Sequence, residues 1–415
     1  WIQVDDGFEP VVGDWDLRKG DFPQDLRLVS DEIRAAGSHP AVWLAPFVAH
    51  PRSRLAAAHP EWLLRTRPGW PVHVGFAWNT FAWALDVSRP EVVEWTADVI
   101  RRSCDEWGFE YLKLDFLYAG ALPGRRSDRR VTRAQSLRRA LAAMREAAGE
   151  SALLGCGCPI GSGIGIFEFM RIGADVAPDW HPAYFGRTSP FRAEPEMVAV
   201  RNALRNAITR APLHTEWWVN DPDCLLLRES TRGRGAASDR GAPSNLSPAE
   251  ARTLASVVAM TGGSVLVSDD LPTLAADRLA WLQRLLPPMP GSPRILDLWD
   301  STYPQLLLRR LHGAVGDWWL LAVVNWKDET ADAVLDLERW GIPVGGGLHC
   351  IDAWEHTYRR VSPGEALRLT LPGHGTAVLA LRADAPGAAW LGDSFHLSQG
   401  LAVQEWSVHA RGARA

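Results

Sequence analysis

No apolar run of about 18 residues occurs in this chain, so nothing in it reads as a helix that crosses a membrane. A basic surplus is missing as well. Lys and Arg number 44 against 49 Asp and Glu, a net charge of −5, and the basic residues cluster only as short pairs at Arg101-Arg102, Arg125-Arg126 and Arg129-Arg130. These read as solvated helix and loop faces, and without a basic stripe a nucleic-acid partner is not expected. Cysteine is scarce. Cys104, Cys156, Cys158, Cys224 and Cys350 are odd in number and scattered, which argues against the disulfide framework of a secreted domain. Cys156-Gly-Cys158 has no second pair at zinc-site spacing, and the 12 histidines contain no His-x-His pair; several sit beside proline, as in His50-Pro51 and His59-Pro60. No metal or other cofactor is expected. An initiator methionine is also missing, and the chain opens inside an apparent strand, Trp1-Ile2-Gln3-Val4-Asp5, so the natural N-terminus is expected upstream. The expected compartment is the cytoplasm.

What the chain does have is length and tryptophan. At 415 residues it exceeds one ordinary domain but can hold a barrel of roughly 250 residues plus a smaller module. Hydrophobic residues at 47% and charged ones at 22% suit a globular protein with a large core. The 21 tryptophans are mostly packing residues, yet exposed indoles make flat platforms for sugar rings, so the excess favours a carbohydrate ligand.

Strand-like and helix-like stretches alternate. Trp1 to Asp5, Ala41 to Phe47, Trp83 to Val87, Tyr111 to Leu117, Ala152 to Cys156, Phe169 to Gly173, Leu213 to Val219 and Gly263 to Ser268 read as eight short strands. Helices are expected over Gln24 to Ala36, from Ser88 with Pro90 in its first turn, over Thr132 to Ala148 and over Pro195 to Thr209. Ser247-Pro-Ala-Glu250 fits a capping box with proline at the first helical position, and Gly262 ends that helix. The Gly, Arg and Ser-rich segment from Arg228 to Asn245 reads as a mobile loop. The pattern predicts a (β/α)8 barrel over 1–289. Beyond Pro290, short strands at Leu306 to Leu308, Trp318 to Val324, Ala333 to Leu335, Leu367 to Leu371 and Thr376 to Leu381 predict a small, sandwich-like antiparallel β domain over 290–415.

The strand Tyr111-Leu-Lys-Leu-Asp-Phe-Leu117 carries Lys113 and Asp115 two residues apart, hence on one face of an apolar element. They read either as a buried ion pair closing a barrel interior or as a carboxylate nucleophile beside a cation that binds a substrate hydroxyl. Other strand ends are polar too: Asp5-Asp6, Cys156, Arg171 with Asp175, and Asn220-Asp-Pro-Asp223. Each alone suits a cap or a turn. Together they predict a cavity that binds many hydroxyls and holds two carboxylates for glycoside chemistry.

Tyr111-Leu-Lys-Leu-Asp-Phe-Leu-Tyr-Ala-Gly120, Gly155-Cys-Gly-Cys-Pro159, Met170-Arg-Ile-Gly-Ala-Asp-Val-Ala-Pro-Asp-Trp180 and Trp218-Val-Asn-Asp-Pro-Asp-Cys-Leu225 resemble the signatures of glycoside hydrolase family 36, the α-galactosidases or melibiases. The same-clan family 27 has similar elements. Val4-Asp-Asp-Gly7, Gly13-Asp-Trp15, His59-Pro-Glu-Trp62 and Ser268-Asp-Asp-Leu271 also fit, in order, to about residue 290. The resemblance implies Asp115 as nucleophile and Asp175 as general acid/base. It also implies Asp5 and Asp6 as acceptors from the 4- and 6-hydroxyls of galactose, Lys113 and Arg171 near the 3-hydroxyl, Trp43 as an apolar wall near C6, and Cys156 near the 2-hydroxyl. A galactose-containing oligosaccharide is then the substrate, hydrolysed with retention by two carboxyls roughly 5 to 5.5 Å apart. The resemblance further implies a homo-oligomer and a β-sandwich before the barrel, and that domain is expected upstream of Trp1. Within the family, an α-N-acetylgalactosaminidase or a galactosyl transferase is the alternative; outside it, a non-catalytic sugar-binding protein.

Overall fold

The computed structural model describes residues 1–20, 22–184, 187–188, 197–229, 244–409 and 412–414. The fold class is the one the alternating pattern predicts, a (β/α)8 barrel followed by an antiparallel β domain. By internal contacts the chain forms two compact units, residues 1–171 with 217–219 and residues 172–216 with 220–415.

In the first unit, Ile2–Val4, Pro40–Leu44, Tyr111–Leu114, Ala152–Gly155 and Phe169–Arg171 lie side by side, all parallel. Val219 extends this ladder, its N–H donating to the Glu168 carbonyl at 2.8 Å. Helices cover such a sheet, so its strands are apolar on both faces, and Ala41, Val42, Leu44, Leu112, Leu114, Leu153 and Leu154 are buried accordingly. Register does the positioning: Trp43 lies opposite Lys113 on the next strand. The intervening helices start where their caps dictate. Asp25 accepts from the Arg27 N–H ahead of Leu26–Ala35, Pro90 opens Pro90–Asp105, and a Thr132/Gln135 capping box opens Arg133–Ala147.

Two expected strands differ. Trp83 to Val87 is not a barrel strand: Thr80–Ala84 pairs antiparallel with Val48–Ala49 and with His73–Ala77. The tip of this hairpin, Trp78-Asn79, has φ values of 51° and 56°, the backbone of a turn that matches strand twist. A short apolar run does not announce its partner, and here the turn chose it. Leu213 to Val219 also departs from expectation, because Ala211–Leu213 is a 3-10 turn and the strand is Val219–Asp221. Thr215 has φ 67°, which interrupts any extended run through it.

In the second unit, Cys224–Leu225 pairs parallel with Leu266–Val267. The Ser247/Glu250 capping box and Pro248 open the helix Pro248–Thr261, which Gly262 ends at φ 81°. A β-carbon at Gly262 would lie 2.3 Å from the Gly291 carbonyl oxygen, so only glycine fits there. The expected helix over Pro195 to Thr209 is Val200–Arg210, residues 189–196 lying outside the described residues. Of the segment from Arg228 to Asn245, 230–243 also lie outside them. The antiparallel domain has one sheet in the order Arg294–Ile295, Leu306–Gly313, Gly316–Val324, Thr376–Ala383, Leu348–Asp352, Tyr358–Val361, and a second of Ala331–Leu335 with Leu367–Leu371. Leu321, Val323, Leu348 and Leu379 from the first meet Leu335, Leu367 and Leu371 from the second in one core, a sandwich.

Candidate active site

Asp115 sits one residue past the end of Tyr111–Leu114, where a barrel presents its chemistry. Its backbone N–H still donates to the Leu44 carbonyl at 2.7 Å, so the carboxylate leaves the ladder from a fixed point. Phe116 then turns into the left-handed region, φ 53°, and its N–H donates back to Asp115 Oδ1 at 2.6 Å. The other oxygen, Oδ2, accepts from the indole Nε1 of Trp43 at 3.1 Å. The Cys156 thiol faces the same Asp115 side chain. Burial, then the Asp115 charge, pushes that thiol well above the ordinary cysteine range, against Arg171 and Lys113, so it stays protonated.

Lys113 bonds elsewhere. Its ammonium donates to Asp5 Oδ2 at 3.1 Å, so the ion pair on this strand joins Lys113 to Asp5 and not to Asp115. Burial and the Arg171 charge lower the Lys113 pKa, yet Asp5, with Cys156 and Asp115, outweighs them and the net direction is up: this side chain is a permanent cation. Gln3 Nε2 also donates to Asp5, and the Asp6 N–H donates to Asp5 Oδ1 at 2.8 Å. Asp6 Oδ2 accepts from Trp78 Nε1 at 2.8 Å. Around these groups stands an aromatic wall. Trp43 packs on Trp15 and on Trp78, ring centroids 6.1 and 6.3 Å away, and Trp78 lies 4.9 Å from Phe116. Asp5, Asp6, Trp43, Lys113, Asp115, Cys156 and Arg171 therefore all belong to the first unit, and Asp5, Trp43, Lys113, Asp115, Cys156 and Arg171 act on one another within it.

Asp175 belongs to the second unit and is exposed on the turn after Phe169–Arg171. That turn is pinned from beneath. The Ile172 N–H donates to the Asp221 carbonyl at 3.1 Å, the Val176 N–H to Asp223 Oδ2 at 2.7 Å, and Arg210 to the Ile172 carbonyl. Asp223 has φ 77° and its own N–H donates to Asp221 Oδ1 at 2.8 Å, so the Asn220-Asp-Pro-Asp223 motif is a rigid bracket under Asp175. Further along, Trp180 stacks on His374, centroids 4.5 Å apart at 18°. His374 donates from Nδ1 to Glu250 at 2.7 Å and from Nε2 to Asp328 at 2.9 Å, with His181 Nε2 3.3 Å from the same Asp328 oxygen.

His181, Asp328 and His374 are the group of metal-capable side chains among the described residues, their ligand atoms within 4.8 Å of one another. A histidine that donates from both ring nitrogens is an imidazolium and has no lone pair for a metal. Burial lowers the His374 pKa, but the Glu250 and Asp328 bonds outweigh it and the net direction is up, as that assignment requires.

Sequence reasoning missed Trp78, Glu9 and His374. Trp78 lies on a hairpin tip whose signal was Asn79. Glu9 stands three positions past Asp6 and is buried at 3% exposure; its isolated place in a loop gave no pattern to read. His374 comes from the β domain, 124 positions from Glu250.

The melibiase family profile matches residues 1–144. An α-galactosidase from Thermus thermophilus, solved in complex with stachyose, is 36% identical, with 68% of this chain and 57% of that one covered and a TM-score of 0.58. The "A type blood alpha-D-galactosamine galactosaminidase" of Flavonifractor plautii is 26% identical over 125 residues, 28% of this chain and 12% of that protein. A family 27 β-L-arabinopyranosidase from Geobacillus stearothermophilus, 13% identical, shares the fold, with 93% and 88% covered and a TM-score of 0.60. The chain thus spans 57% of the solved Thermus relative and 12% of the curated one.

Proposed function

We propose, from the premise that this chain belongs to the melibiase clan of α-galactosidases, that it is a retaining α-galactosidase acting on terminal α-D-galactosyl residues of oligosaccharides. One observation carries the reading: Asp115 is clamped by Phe116 N–H and Trp43 Nε1, with the Cys156 thiol facing it, at a barrel strand end, as a nucleophile that must meet an anomeric carbon in one orientation requires. Asp115 attacks the anomeric carbon and forms a glycosyl ester. Asp175 gives its proton to the departing glycosidic oxygen and later takes one from the water that releases the sugar, so configuration is retained. The rigid Asp221–Asp223 bracket supports that role, since an acid/base must hold still relative to its own backbone. Asp5 and Asp6 accept sugar hydroxyls, and Lys113, a cation fixed on Asp5, donates to one together with Arg171. Trp43 contributes both its N–H and its apolar face, and Cys156 lies by the 2-hydroxyl.

On this reading residues 1–289 are the catalytic barrel and 290–415 the β domain; the protein acts in the cytoplasm as a homo-oligomer. Its five cysteines are all free, which supports a reducing compartment. Among the described residues no helix is long and apolar enough to cross a membrane. An α-N-acetylgalactosaminidase is the second reading; the Flavonifractor relative is named for α-D-galactosamine, which like N-acetylgalactosamine carries nitrogen at C2.

The test is hydrolysis of aryl α-galactoside against aryl α-N-acetylgalactosaminide, with the product anomer followed by proton NMR. Release of α-galactose from the first substrate is the expected result. Asp115→Ala should abolish turnover, and azide should restore it with a β-configured product. Substantial unassisted activity in that variant removes Asp115 from the mechanism.

A further inference from the structure

Glu9 has no place in the chemistry above, yet it is buried at 3% exposure in the loop that presents Asp5 and Asp6. Its Oε2 is enclosed and receives no N–H or O–H donor. Its carboxyl is hydrogen-bonded to that of Asp6. Two ionised carboxylates cannot share a hydrogen bond, so the contact contains a proton, and the deeper of the two groups loses more by ionising. Arg18 feels the Glu9 charge but makes its hydrogen bonds elsewhere. It donates to the Trp15 and Leu17 carbonyls at 2.6 and 2.8 Å, and no ion pair joins it to Glu9 among the described residues. Asp6 is exposed and already accepts from Trp78 Nε1. Its carboxylate is thus held between an indole above and a carboxyl below.

We propose that Glu9 is a positioning residue for the sugar site: its un-ionised carboxyl donates to Asp6 and fixes the oxygen that receives a substrate hydroxyl. This rests on the α-galactoside reading. The charged groups facing Glu9 are Asp6 on its own loop and Arg18 across it. Burial first, then the Asp6 bond and charge, outweigh the backbone N–H groups of Glu9 and Gly7, which stabilise the charged form, and raise the Glu9 carboxyl to about 8. Below that pH the donor is present. Above it two negative charges face each other, and the exposed Asp6 swings away from Trp78.

The experiment is galactose binding, followed by intrinsic tryptophan fluorescence between pH 6 and 9.5, beside KM and kcat for aryl α-galactoside over the same range. Wild-type affinity should fall about tenfold above pH 8, as losing a hydrogen bond to a charged group does. The rise should appear in KM, with kcat little changed. Glu9→Gln keeps a neutral donor of the same shape, so its affinity should match wild type at pH 6.5 and stay flat to pH 9.5. Glu9→Ala should bind about tenfold more weakly at every pH. Difference infrared spectra of wild type against Glu9→Gln at pH 7 should contain the carbonyl stretch of one un-ionised carboxylic acid, a readout that needs no ligand. A Gln variant with the wild-type pH profile, or no un-ionised carboxyl in the difference spectrum, overturns the proposal. A protein that binds galactose with the expected pH profile but hydrolyses no α-galactoside refutes the hydrolase and leaves Glu9 in this role. No galactose binding at any pH overturns both.

Discussion

Asp115 owes its orientation to donors from two separate stretches, Phe116 beside it and Trp43 opposite the neighbouring Lys113, with the Cys156 thiol at the end of the next strand facing it. Removing one donor tests that clamp without emptying the pocket. Trp43→Phe retains the apolar face and deletes the N–H, and kcat/KM for aryl α-galactoside should fall about tenfold, the cost of one hydrogen bond to a charged group. Unchanged steady-state kinetics would reduce Trp43 to a wall. Asp115 and Lys113 were legible in the sequence because polar residues stand out in an apolar strand at period two. Their partners were not, since Lys113 finds Asp5 across 108 positions of chain.

At the scale of elements, turns decide most. The hairpin His73–Ala77/Thr80–Ala84 brings Trp78 to Asp6 through two consecutive residues of positive φ. The Asn220-Asp-Pro-Asp223 turn does the same for Asp175 from below. Asp223→Ala removes the acceptor of the Val176 N–H and loosens the turn that carries Asp175. Misplaced acid catalysis matters most where the leaving group is poor. Activity on an alkyl or sugar galactoside should therefore fall about tenfold more than activity on a nitrophenyl galactoside. Equal losses on both substrates, measured side by side, would make Asp223 merely structural. Helix starts were legible, since the Ser247/Glu250 and Thr132/Gln135 caps are local chemistry. The strand reading of Trp83 to Val87 failed because pairing partner is not a local property.

Across the whole molecule the distinctive electrostatic feature is the chain Glu250, His374, Asp328, which lies within the second unit. The His374 pKa is raised, so its contribution is complete below the ordinary histidine value of 6.5 and is lost as pH rises through the folded value. Burial raises Glu250, but His374 and Ser247 outweigh it, and His374 lowers Asp328; both carboxyls end below their ordinary 4.5 and 3.8. Their contributions are present above those values and disappear on acidification. All three overlap between about pH 4.5 and 6.5. The thermal stability difference between wild type and His374→Gln should be greatest in that window and shrink on either side. A difference that does not vary with pH in calorimetry would mean His374 acts by packing on Trp180 alone.

The sequence by itself determined the fold class, the helix caps, the strand that carries Lys113 and leads into Asp115, and the resemblance to melibiases, because periodicity, capping chemistry and ordered motifs are all carried by neighbouring residues. Tertiary structure alone decided that Lys113 pairs with Asp5, that Trp43 donates to Asp115, that Trp78 and Glu9 hold Asp6 between them, and that His374 reaches Glu250. Each of those contacts joins different strands, loops or turns. Which side chains meet there depends on sheet register, turn hand and burial, and no short stretch of sequence states any of the three.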